Sequence, residues 1–129
     1  MITRQDIFLY ADEQYGTKPE YLWESYPDAA VLRHGENPKW YGLVMTVARN
    51  RLGLPGEGSV ELLTVKCDPL LIGSLLQTEG YLPAYHMNKD RWISIRLDGS
   101  VSREDAFHLL DLSFDLTRTK LRKRRIQPE

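Results

Sequence analysis

Five residues able to hold an anion or stack on a planar group crowd into one seven-residue stretch: His86, Asn88, Lys89, Arg91 and Trp92. Polar donors, two cations and an aromatic plane together could grip a phosphate backbone and stack on a base. The plainer alternative is an irregular crossover, in which His86 and Asn88 hydrogen-bond its backbone and Trp92 packs against Trp40. A second cationic candidate is Arg49 with Arg51, beside the glycine-rich run Gly53-Leu54-Pro55-Gly56-Glu57-Gly58. The pair could form a wing contacting phosphates, or be two solvated arginines at a strand end. No Gly-Lys-Ser/Thr follows the glycines, so the run is not a P-loop.

Other chemistry is poorly served. Cys67 stands between a strand and a helix start, where an exposed thiol would be activated. Cysteine is among the most buried residue types, so a packing role is the expectation. His34, His86 and His108 lack metal-ligand spacing, and one cysteine cannot build a structural zinc site. No cofactor is expected. The acidic residues Asp6, Asp12, Glu13, Glu20 and Glu24 read as a solvated face.

These candidates must be positioned by a small set of elements. Thr3, with Asp6 in the first turn, caps a helix from about Arg4 to Tyr15, and Gly16 stops it. Tyr21–Ser25 reads as a short strand and Ala30–His34 as another. Lys39–Ala48 is the longest β-like run, with Tyr41, Leu43, Met45 and Val47 on one face and Trp40, Val44 and Thr46 on the other. The stretch 49–59 is a loop, and Val60–Cys67 the next strand. Asp68-Pro69 opens a helix to about Thr78, and Tyr81–Lys89 has no regular pattern. Trp92–Leu97 alternates, with Ile93, Ile95 and Leu97 inward. Ser102, with Glu104 and Asp105 behind it, caps a last helix to about Thr117 that carries a broad apolar face. The order predicts a two-layer α+β domain, an antiparallel sheet with helices packed on one face.

Composition bounds the function. Forty-two per cent of the 129 residues are apolar and 27% charged, the balance of one globular domain. No apolar run approaches the roughly 20 residues that span a membrane, and Met1–Asp6 shows no secretory pattern. With a single cysteine, a reducing cytoplasm is the expected location. The formal net charge of −1 hides an asymmetry. Of 17 basic and 18 acidic residues, six basic ones fall between Arg118 and Arg125, and one acidic residue is Glu129; residues 1–117 therefore keep 11 basic against 17 acidic, a net of −6. Proteins that coat phosphates usually carry a basic surplus over the folded body. The reading is a domain over 1–117 with a basic tail over 118–129, either a hook for nucleic acid or a solvated helix end.

The run Pro83-Ala84-Tyr85-His86-Met87-Asn88-Lys89, with Trp92 after it, resembles the signature of the MmcQ/YjbR family of small bacterial proteins. Arg33-His34 with Asn37 and Lys39-Trp40, then Lys66-Cys67-Asp68-Pro69, then Asp111 to Leu116, fit the same pattern in order, together spanning roughly residues 3 to 117. Members commonly carry histidine just before the tryptophan; here Arg91 stands there. The resemblance implies a fold similar to secretion chaperones and a DNA-binding role through two β-hairpin wings.

The sequence therefore predicts a non-enzymatic binding module without cofactor or metal. Its leading partner is DNA, bound weakly and without sequence preference. The residues expected to carry that contact are Lys39, Trp40, Arg49, Arg51, His86, Asn88, Lys89, Arg91, Trp92, Arg122, Lys123, Arg124 and Arg125. A protein- or peptide-binding module using the sheet face is the alternative. A basic surface on the hairpin loops would favour the first, and an exposed apolar groove the second.

Overall fold

The computed structural model describes residues 1–119. Its elements are α1 (Arg4–Tyr15), β1 (Ala30–Arg33), β2 (Trp40–Ala48), a 3-10 turn (Arg49–Leu52), β3 (Ser59–Lys66), α2 (Pro69–Leu75), β4 (Tyr81–Pro83), β5 (Trp92–Arg96) and α3 (Arg103–Thr117). The five strands form one sheet in the order β1-β2-β3-β5-β4, and every neighbouring pair is antiparallel. All three helices feed one core on one sheet face: Ile7 and Ala11 from α1, Ile72 from α2, and Ala106, Leu109 and Leu110 from α3. The two-layer α+β architecture is the one expected. Among the described residues, no helix is long and apolar enough to cross a membrane.

Local chemistry sets the helix ends. Thr3 accepts from the Asp6 amide and the Asp6 carboxylate accepts from Thr3, a reciprocal capping box. Asp68 and Ser102 cap α2 and α3 in one direction only, their side chains accepting from the Leu70 and Asp105 amides. The helices are bound to each other by aromatic rings. Tyr10 stacks on Phe107 and Tyr15 on Phe114, each at 4.0 Å between centroids. Both tyrosine hydroxyls donate to the Asp111 carboxylate. Burial and that hydrogen bond push the Tyr10 hydroxyl up to about 12.

Four expectations need correction. Residues 21–25 form no strand; Glu20 alone bridges to Val31, and the following residues are irregular and exposed. The stretch 81–89 opens with a true edge strand, β4, too short to show a pattern. The second helix ends at Leu75 rather than near Thr78. The strict two-residue alternation of β2 breaks at Tyr41. Leu32 pairs with Gly42 but Arg33 with Trp40, so Tyr41 is the extra residue of a bulge. Tyr41 therefore turns into the helix-side core. Leu43, Met45 and Val47 form a second apolar cluster, which Trp40 joins, on the opposite face.

Cys67 is buried at 3% exposure, and burial pushes its thiol up, as a packing role requires. The C-terminal end of α3 rests on His34, which stacks on Phe114 at 4.2 Å. His34 Nε2 lies 2.7 Å from the Thr117 hydroxyl, which itself donates to the Ser113 carbonyl. The ring must then donate from Nε2, leaving Nδ1 bare, buried and without a partner among the described residues. Protonation would bury a charge and a second N–H, a cost that the nearby Phe114 carbonyl offsets only in part. Burial indeed holds the His34 pKa below the usual histidine value, despite Glu36 nearby. A depressed folded-state pKa means that the unfolded chain binds the proton more readily. Stability should therefore be full above pH 6.5 and fall as the pH drops below it. Urea midpoints between pH 7.5 and 5 check this; His34→Gln should remove that part of the slope.

Candidate functional site

The sheet face opposite the helices is covered only in part, by three connections. Each is held by its own chemistry. The 21–28 segment is pinned at both ends. Glu20 exchanges backbone hydrogen bonds with Val31 at 2.8 and 3.0 Å. The Arg33 guanidinium forks onto the Glu20 carboxylate at 3.0 and 3.1 Å. At the far end Arg4 donates to the Asp28 carbonyl at 2.7 Å and pairs with Glu61 at 2.9 Å. Between these pins Tyr21, Leu22, Trp23 and Tyr26 are exposed by 53%, 45%, 37% and 53%.

The second connection, 49–58, is organised by Arg49. Its Nε donates to the Pro55 carbonyl at 2.7 Å, and its backbone bonds to Gly58 and Leu54. Leu52 and Leu54 fold back onto the second apolar cluster. The third, 84–91, hangs from β4. The Tyr85 amide donates to the Ser94 hydroxyl, itself 2.7 Å from that of Thr64. Asn88 closes the turn: its side chain accepts from Asp90, and its carbonyl accepts from Arg91 and Trp92. The crossover reading thus holds for Asn88. It does not hold for His86, whose ring makes no hydrogen bond among the described residues. His86 instead adopts φ +66°, a left-handed conformation uncommon outside glycine, and its ring leans on Tyr85 at 4.2 Å.

The first and third of these connections flank a groove of about 320 Å³ over β2. It is lined by Trp40, Leu43 and Met45 of β2, by Trp23 and Tyr26 of the first connection, and by His86 and Met87 of the third. A smaller pocket of about 210 Å³ shares Tyr26, Met45 and His86 with it and reaches Arg51. The structure thus brings Trp40, Arg51 and His86 of the sequence candidates into one place. It separates Asn88, Lys89 and Arg91, which line a surface beside Ile72 of α2 and Leu76 just after it. Lys39 is exposed just before Trp40, and its amide donates to the Asn37 side chain. Arg49 is committed to its own loop. Trp92 alternates with the inward Ile93 and Ile95 and so shares the open face with Trp40. However, the ring that Trp40 meets is Trp23, edge-on at 5.7 Å, and not Trp92. Arg122, Lys123, Arg124 and Arg125 lie outside the described residues.

Trp23, Tyr26, Met45 and Met87 were not singled out from the sequence. A signal was present: Tyr21-Leu22-Trp23-Glu24-Ser25-Tyr26 is too aromatic for an idle connection and too irregular for a strand. Chemically, the groove offers aromatic rings and the two thioethers of Met45 and Met87, with one cation, Arg51, in the adjoining pocket. It can hold an apolar or planar group.

Comparison with known proteins agrees with the architecture. The YyaQ protein of Bacillus subtilis (strain 168) is 47% identical over 118 residues, covering 92% of this chain and all of that protein. A crystal structure of a Pseudomonas syringae protein superposes with a TM-score of 0.88 at 42% identity, over 91% of this chain and 100% of that one. The Deinococcus radiodurans protein DR2400, with a DUF419 domain, follows at TM-score 0.73 and 25% identity, over 93% and 81% of the two chains. The sequence profile of the YjbR family matches residues 13–116, the span that holds the sheet, α2 and every groove residue, and the chain belongs to that family.

Proposed function

We propose that this chain is a non-enzymatic binding module that receives an apolar segment of a partner protein in the open-face groove. One observation carries this reading: the exposed Tyr21, Leu22, Trp23 and Tyr26 adjoin the groove on a segment pinned at both ends. Large apolar side chains grouped at a surface gain free energy when covered. Pinning lowers the ordering cost that a mobile loop would add to binding. Aromatic and methionine side chains are the types that anchor such contacts and adapt to varied partners.

A second reading, weak and sequence-independent DNA binding, is favoured by the meeting of the two hairpin-end loops at Arg51 and His86. Against it stands the net acidic body. The loops are also not basic as a surface: Arg49 is consumed internally, and Lys89 and Arg91 lie elsewhere. One set of titrations separates the two. Labelled peptides carrying a Phe or Leu anchor should bind the full chain, and Trp40→Ala should weaken them at least tenfold, with little salt dependence. A labelled duplex starting near 20 mM salt should show no association if the groove serves proteins. Duplex binding whose log–log salt slope is roughly −4 to −5 would instead favour DNA.

A further inference from the structure

Resting on the groove as a protein-binding site, we infer that it recognises an acidic-apolar motif, an aromatic or leucine side chain followed directly by a carboxylate. Of the eight arginines among the described residues, five are paired with acids: Arg4, Arg33, Arg96, Arg103 and Arg118. Arg49 is spent on the Pro55 carbonyl. Arg51 and Arg91 have no acid and no side-chain hydrogen-bond partner among the described residues, although acids outnumber bases over this body. Arg91 lies on the α2 side, whereas Arg51 lines the pocket adjoining the groove, with Tyr26, Met45 and His86. A guanidinium is a planar fork that matches a carboxylate with two parallel hydrogen bonds.

His86 supports the same assignment independently. Its φ of +66° is one that glycine would adopt at lower cost. The ring so displayed lines both pockets, and its nitrogens have no hydrogen-bond partner among the described residues. A hydrogen-bonding ring and an uncommitted guanidinium beside an apolar slot form a place for an anion next to an apolar anchor. A purely apolar ligand would leave both donors desolvated and unmatched.

The test uses the full chain and peptides with blocked ends that lack tryptophan, read by the protein's tryptophan fluorescence. Three peptides suffice: one with Phe followed by Glu, the same with Gln for Glu, and the same with Ala for Phe. The Glu peptide should bind at least fivefold more tightly than the Gln peptide near 20 mM salt, and the advantage should shrink at 0.5 M salt. Arg51→Gln should abolish the preference while leaving the Gln peptide unaffected. His86→Gly should reduce it without lowering the thermal midpoint, because the backbone strain is relieved. Equal affinity for the Glu and Gln peptides overturns the acidic motif while leaving the apolar groove standing. Failure of all three peptides overturns both. Quenching by an unstructured oligothymidylate, but by no peptide, would assign the groove to single-stranded nucleic acid and also overturn the inference.

Discussion

Replacing Ser113 with alanine should destabilise the fold by roughly 2–4 kcal/mol, an effect far beyond the loss of one exposed hydroxyl. The cause lies in how β2 and β3 part. Their ladder pairs Val44 with Leu63 and Leu43 with Thr64, and the same register carried on would oppose Tyr41 to Lys66. There the bulge in β2 intervenes, and α3 supplies what the ladder lacks. The Lys66 amide donates to the Ser113 hydroxyl at 2.9 Å, and that hydroxyl donates to the Tyr41 carbonyl at 2.7 Å. Ser113 is fully buried. Alanine would strand a donor and an acceptor of the main chain, each at a cost of roughly 1–3 kcal/mol. Urea unfolding of Ser113→Ala at pH 7.5 checks this, and the dependence on urea should keep its slope. A loss under about 0.5 kcal/mol would show that a water molecule takes over the bridge.

The same residue marks where the sequence stops being legible. Capping is local, so Thr3 with Asp6, Asp68 with Pro69, and Ser102 could be read directly, and the helix starts follow. The alternation of β5 was legible because both its neighbours are regular strands. The β2 bulge was not, because it depends on how Arg33 and Trp40 meet across the sheet. Reading β2 at a strict period of two put Trp40 opposite Leu43, when the two line one groove. Ser113 in an apolar helix gives no local hint that it mends a ladder. The groove shares this character. Trp40, Arg51 and His86 were visible as chemistry, but their meeting with Trp23, Tyr26 and Met87 depends on three connections folding over one face. The Arg4 and Arg33 contacts that fix the first of these join residues 24 and 13 positions apart.

Replacing Gly80 with alanine should cost more still, roughly 3–5 kcal/mol, and should act on the groove as well as on stability. Gly80 is buried with φ +98°, a backbone that alanine adopts only under strain. A methyl group there would lie 2.5 Å from Val101 Cγ2 and 2.8 Å from Ser100 Cβ. Val101 belongs to the helix-side core, so the turn before α3 has little room to retreat. The strain would pass into the sheet. The Gly80 carbonyl accepts from the Arg96 amide at 2.8 Å, and Tyr81 next to it pairs with Ile95. Any shift of Gly80 therefore slides β4, an edge strand of three residues with one neighbour. From β4 the chain runs directly into 84–91, which carries His86 and Met87. One groove wall should consequently move or fray in molecules that are still folded. Peptide binding by Gly80→Ala, measured well below its thermal midpoint, should fall by more than the unfolded fraction accounts for. Unchanged stability would show that the Ser100–Val101 turn yields freely. Reduced stability with intact binding would show that the Tyr85–Ser94 hydrogen bond holds the wall without β4.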